Sequence, residues 1–174
     1  GMLLAAIEDP NPVIFLEHRW LHAVQGNVPE GPYRVALDRA RIVRTGDAIT
    51  LAAFSHMVLE ALKVAEVLAR YGVAVEVIDM RAVQPLDMGP VLESVRKTGR
   101  LLVADTGWTT CGMGAELIAR TVTAAFSSLK AAPIRIGLPD HPAPTAPALT
   151  HDYYPDAETI GRALLTLPGL RLPK

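Results

Sequence analysis

The sequence contains a single cysteine, Cys111, so no internal disulfide can form and a small secreted fold stapled by disulfides is excluded. That usage fits a reducing cytoplasm. It also lacks a dominant sign of charge: 17 Lys and Arg face 18 Asp and Glu, and no five like charges run together. A basic footprint for nucleic acid is therefore missing. No apolar run approaches the roughly 20 residues that a membrane-spanning helix needs, and the first residues lack the charged-then-apolar order of a signal peptide. No partner in a membrane is expected. Of the five histidines, His18, His22, His56, His141 and His151, only His18 and His22 are spaced i, i+4, and they stand in the arm outside any helical pattern, with no Cys-x-x-Cys in the chain; that gives a metal site little support.

What the chain does have is length and apolar content: 174 residues, half of them hydrophobic, enough for one buried core with an arm left over. Gly1 before Met2 reads as the remnant of a tag and is set aside. From Ala40 onward, strand patterns alternate with helical ones. "ARIVRT" (Ala40–Thr45) and "AITLAAF" (Ala48–Phe54) flank Gly46-Asp47, a pattern that predicts a tight hairpin. His56–Arg70 carries a helical stripe of Val58, Ala61, Leu62, Ala65 and Leu68 that Gly72 can end. "AVEVIDM" (Ala74–Met80) is a strand, and Asp87 is placed to cap a helix bearing Val91, Leu92 and Val95, which Gly99 stops. "RLLVA" (Arg100–Ala104) is apolar throughout, as in a strand covered on both faces.

Gly112–Leu129 predicts a helix with the stripe Ile118, Val122, Ala125, Phe126 and Leu129, followed by a strand at Pro133–Leu138. Pro139, Pro142, Pro144 and Pro147 then exclude ladder and helix alike and predict an extended strap. Asp156 caps a final helix with the stripe Ile160, Ala163, Leu164 and Leu167. Alternating strands and helices of this length imply right-handed crossovers and a three-layer α/β/α sandwich. Residues 1–39 stand apart as an arm and linker: a helical scrap at Leu3–Ile7, the strand pattern "VIFLE" at Val13–Glu17, then Gly26, Pro29, Gly31 and Pro32. "VIFLE" has no partner nearby, so it either covers the domain or belongs to a sheet elsewhere.

In an open parallel sheet, ligands bind beyond the carboxyl ends of the strands. The crevice residues there are Ser55, His56, Arg81, Asp105, Thr106, Gly112 and Gly114. Gly112-Met113-Gly114 lies at a helix start, where free N–H groups attract anions. A dinucleotide fingerprint would need a third glycine where Leu117 stands, so the same glycines also read as a close helix–strand contact. Cys111 lies before that helix without a resolving partner. Ser55 next to His56 suits an N-cap better than a nucleophile and base, because neighbours at a strand end point different ways. Asp79 and Arg81 share one side of a strand end, as an ion pair or as a carboxylate binder. Trp108, Tyr153 and Tyr154 lie outside the core stripes and mark an interface or a pocket floor.

The segments "IEDPNPVIFLEHRWLH", "VPEGPYRVALDRARIVRTGDAITLAAFSHMVLEALKVAEVLARYGVAVEVIDMRAVQPLD", "VRKTGRLLVADTGWTTCGMGAELIA" and "GLPDHPAPTAPALTHDYYPDAETI" together resemble the C-terminal portion of the beta subunit of thiamine-diphosphate-dependent 2-oxo acid dehydrogenases, in the transketolase superfamily. The resemblance runs from about Leu3 to Leu167. It implies a five-stranded mixed sheet of order 1-3-2-4-5 with strand 1 antiparallel, and it makes residues 1–39 the tail of a pyrimidine-binding domain and 40–174 a transketolase C-terminal-like domain. It also implies no catalytic, cofactor-binding or metal residue in this chain. Thiamine diphosphate and magnesium would be held by other domains of the assembled enzyme, since Gly46-Asp47-Ala48 lacks the last glycine of the Gly-Asp-Gly motif. The implied role is assembly: a homodimer, companion dehydrogenase subunits, and the acyltransferase core. Where the family carries Glu or His and then "GGFG", this chain reads "ADTGWTTCGMG". A regulatory module binding a small molecule or an anion in the crevice is the competing expectation.

Overall fold

The computed structural model describes residues 1–150 and 152–170. After a helix α1 (Met2–Glu8) and a single 3-10 turn at Arg19–Leu21, the chain builds β1 (Arg41–Arg44), β2 (Ile49–Ala53), α2 (Met57–Ala69), β3 (Val75–Asp79), α3 (Gly89–Thr98), β4 (Leu101–Trp108), α4 (Met113–Ala125), β5 (Ile134–Leu138), α5 (Pro147–Thr150) and α6 (Ala157–Leu165). The five strands form one sheet of order β1-β3-β2-β4-β5. β1 runs antiparallel to β3, and the other pairings are parallel. Both features match the expected sheet.

The period-2 alternation of strand side chains divides the core between the two faces. Ile49, Leu51 and Ala53 of β2 join Val75, Val77, Leu102 and Ala104 under α2 and α6, whose Met57, Ala61, Ile160 and Leu164 fill that face. Ala52, Ile78, Leu101 and Val103 face the other way, onto Val91 and Val95 of α3 and Leu117 of α4. Every β2 residue is buried. Thr50 shares the second face, where its hydroxyl is hydrogen-bonded to Ser94 Oγ (2.6 Å) and Thr98 Oγ1 (2.8 Å) of α3. That small polar triad is fully paired, so its burial leaves no orphan oxygen.

The terminators behave as their chemistry requires. Gly72 and Gly99 take the left-handed conformation (φ 75° and 73°) that ends a helix without a Cβ penalty. Asp156 Oδ1 accepts the Thr159 N–H at 2.8 Å and caps α6. Asp87 works one residue earlier than expected: its Oδ1 accepts the Gly89 N–H and its Oδ2 the Ala40 N–H, while Met88 holds the cap position.

Four expectations need correction. Gly46-Asp47 is not a hairpin, because β1 pairs with β3 and not with β2. The connection crosses the start of β3 instead, with the Asp47 and Ala48 N–H groups both donating to the Ala74 carbonyl (3.2 and 2.9 Å). The buried stripe of α4 is Gly114, Leu117, Thr121 and Ala125, rotated from the expected one, and Phe126 is 73% exposed in a 3-10 turn after the helix. The proline strap is extended only in its first part, for Pro147 opens the four-residue α5. Finally, Val13–Glu17 forms no strand; it is an exposed segment without regular secondary structure.

Candidate functional site

The turns after β2, β3 and β4 leave the same edge of the sheet, tied together where Met80 N–H donates to the Ala53 carbonyl and Phe54 N–H to the Ala104 carbonyl. Each turn holds one non-glycine residue in the left-handed region: Ser55 (φ 53°), Arg81 (φ 58°) and Cys111 (φ 58°). Such a conformation is uncommon for residues with a Cβ. Ser55 does not cap α2 as expected, because His56 occupies the cap position with no side-chain bond. Arg81 is turned back on its own strand, with Nε 3.5 Å from Asp79 Oδ2 and its N–H donating to Asp79 Oδ1. Burial pushes the Asp79 carboxyl above its usual range, and the Arg81 charge opposes that only in part.

The Gly-rich stretch resolves toward packing. β4 continues to Trp108, so Asp105 and Thr106 are strand residues rather than loop residues. A Cβ on Gly112 would lie 2.0 Å from the Trp108 carbonyl oxygen, and one on Gly114 would meet Arg135 Cγ at 3.2 Å and Val103 Cγ1 at 3.5 Å. The absence of a side chain is what lets α4 sit against β4 and β5. An internal carboxylate already serves this turn: Asp140 accepts both the Thr110 hydroxyl and, at 3.3 Å, the Thr110 N–H. Cys111 is exposed beside it.

The richest constellation lies at the neighbouring corner and includes residues the sequence reading did not single out. Trp20, on the arm's 3-10 turn, stands edge-on to His56 (centroids 5.0 Å, 72°) and to Tyr154 (5.4 Å, 69°). His18 lies against His56 with its ring tilted (centroids 5.2 Å, 36°), and burial together with the facing His56 holds the His18 imidazole below its usual range. Glu60 on α2 approaches His56 Nε2 at 3.9 Å, pairs with Lys63 at 2.6 Å, and accepts the Ala157 N–H at 3.0 Å, so it also staples the start of α6. Trp20, His56, Glu60 and Tyr154 line, together with Pro147, Thr150, Pro155 and Asp156, a cavity of about 460 Å³. One signal in the sequence was available: Trp20 is one of only two tryptophans and stands in a polar linker.

Of the residues expected at an interface, Tyr153 is buried, its ring edge-on to Tyr154 and its hydroxyl donating to the His141 carbonyl (2.9 Å). Tyr154 closes the cavity wall, and Trp108 is 58% exposed at the far end of β4. His151 lies outside the described residues.

The residues at Gly46–Ala48 do not fit a diphosphate and metal motif. A Cβ on Gly46 would strike the β3 backbone at 2.4–2.5 Å, and the next two N–H groups are spent on Ala74. Among the described residues no three His, Cys, Asp or Glu side chains converge as metal ligands.

Comparison with known proteins agrees with the sheet order. Residues 38–160 match the model of the transketolase C-terminal domain. The chain belongs to that family. It is 40% identical over 163 residues to the beta subunit of acetoin:2,6-dichlorophenolindophenol oxidoreductase of Cupriavidus necator, covering 94% of this chain and 48% of that one. It is 40% identical over 167 residues to the mitochondrial pyruvate dehydrogenase E1 component subunit beta of Pisum sativum, covering 94% of this chain and 46% of that one. A solved structure described as a split gene transketolase, inactive beta4 tetramer, superposes with a TM-score of 0.65 at 26% identity, over 76% of this chain and 43% of that one. This transketolase C-terminal domain chain thus spans about half the length of the curated relatives it matches. No described helix is long and apolar enough to cross a membrane.

Proposed function

We propose that the chain is the non-catalytic C-terminal part of the beta subunit of a thiamine-diphosphate-dependent 2-oxo acid dehydrogenase, of pyruvate or branched-chain type, serving dimerisation and complex assembly. The observation that carries this reading is the arm. Ile14 and Leu16 are 87% and 85% exposed on a segment of strand-forming composition that has found no sheet. Apolar side chains so displayed cost solubility unless another surface covers them. A pyrimidine-type domain is the natural cover, which makes residues 1–39 the tail of that domain and 40–174 the assembly domain.

On this reading thiamine diphosphate and magnesium belong to the assembled enzyme, whose other domains would hold them. Two copies pair, companion dehydrogenase subunits complete the complex, and the acyltransferase core docks on it. The sparing use of cysteine suits a reducing compartment such as the cytoplasm, although the pea relative carries the word mitochondrial in its name. A regulatory anion site in the crevice has less in its favour, since Gly112 is closed by the Trp108 carbonyl and Asp140 already occupies the Thr110 N–H. Light scattering on the purified chain tests the assembly role. Twice the mass of one chain is expected, and a monomer across the accessible concentration range would refute dimerisation.

A further inference from the structure

We propose that the corner between the arm and the domain binds a small organic cation, an ammonium head group with dispersed charge, in the cavity beside Trp20. The volume, about 460 Å³, falls within the ~300–1,000 Å³ of small-molecule sites. Trp20 meets His56 and Tyr154 at interplanar angles of 72° and 69°. A near-perpendicular ring pair bounds a corner with one face from each ring, and ring faces carry the negative part of the aromatic quadrupole. Three rings meeting in this way give the walls of a cation cage.

Charge selects the same class of ligand. The lining includes two carboxylates, Glu60 and Asp156, and no lysine or arginine. The Glu60 side chain is only 9% exposed, and its Lys63 partner is mostly exposed outside the lining. Asp156 stays ionised at neutral pH, since the Thr159 N–H holds its carboxyl below the usual range. An anion would meet the Asp156 carboxylate, whereas the Glu60 charge is already paired with Lys63 (2.6 Å) and faces His56 Nε2 (3.9 Å). A hard divalent cation would need oxygens already engaged, Glu60 Oε2 by the Ala157 N–H and Asp156 Oδ1 by Thr159. A quaternary ammonium asks for no such ligation; aromatic faces and a nearby negative field suffice.

Calorimetric titration of the full chain at constant ionic strength provides the test, with choline as the probe and 3,3-dimethylbutan-1-ol as its uncharged isostere. Choline should saturate with a millimolar Kd, and the alcohol should bind at least about fivefold more weakly. Trp20→Leu should weaken choline about tenfold. Asp156→Asn, which keeps an N-cap oxygen while removing the charge, should weaken it about threefold with unchanged helicity by circular dichroism. If Trp20→Leu does not fold, Tyr154→Leu takes its place with the same expectation. No saturable heat with choline, equal affinity for the alcohol, or variants that bind as the parent does would each overturn the proposal.

Discussion

Replacing Gly46 by alanine distinguishes the observed strand crossing from a simple turn, because the two geometries predict opposite signs. Gly46 does not adopt a positive φ, so alanine has no conformational objection of its own. In an open turn the exchange would stabilise the protein by ~0.4–1 kcal/mol through the entropy of the unfolded chain. In the observed path the new Cβ falls 2.4 Å from Val75 C, 2.5 Å from the Ala74 oxygen and 2.5 Å from Glu76 N. These are backbone atoms of β3, which pairs on both sides and cannot recede. Relief requires lifting the connection away, at ~1–3 kcal/mol for overpacking. The move also weakens the bonds from Asp47 and Ala48 to Ala74 and from the Gly46 N–H to Glu76 Oε2, each worth ~1 kcal/mol. We expect Gly46→Ala to lose about 2–5 kcal/mol in urea unfolding with an unchanged m-value. A variant as stable as the parent, or more so, would refute the crossing.

Three further outcomes follow from other parts of the fold. Thr50→Val takes one partner from each of the Ser94 and Thr98 hydroxyls under α3, which keep Glu76 and the Arg100 backbone respectively, and should cost about 0.5–1.5 kcal/mol in the same assay. Burial alone would raise the Glu76 carboxyl, but the bonds from Lys97, Ser94 and the Gly46 N–H outweigh it and hold it below the usual carboxylate range. Its contribution is therefore complete above the unfolded carboxylate's pKa and is lost as pH falls through the lower folded value. Glu76→Gln should lower neutral-pH stability by about 1–3 kcal/mol and flatten the acid limb of the stability profile. Asp156→Ala removes the α6 cap and should lower stability by about 1 kcal/mol, read from the urea midpoint.

Local chemistry was legible in the sequence where a single residue decides the outcome. Gly72, Gly99 and Asp156 each end or start a helix through their own conformation or side chain, and the α2 stripe follows from a 3.6-residue period. What failed depended on distant partners. Gly46-Asp47 has the composition of a hairpin, and only the position of β3 between β1 and β2 shows that it is a crossing. The α4 stripe was misplaced because Phe126 looks like a core residue, whereas the small Gly114 and Thr121 face the sheet and let the helix approach closely; Thr121 spends its hydroxyl on the Leu117 carbonyl. The Trp20, His56 and Tyr154 corner joins residues far apart in sequence, and no local pattern encodes it. "VIFLE" has the composition of a strand but forms none, because a strand needs a neighbour to take its backbone hydrogen bonds and the arm supplies no partner.

The central claim is that this polypeptide contributes assembly and leaves the activation of the thiazolium ring to other domains. Calorimetric titration of thiamine diphosphate with magnesium into the purified chain tests it most directly. The account predicts no heat beyond dilution, and a saturable isotherm would contradict it.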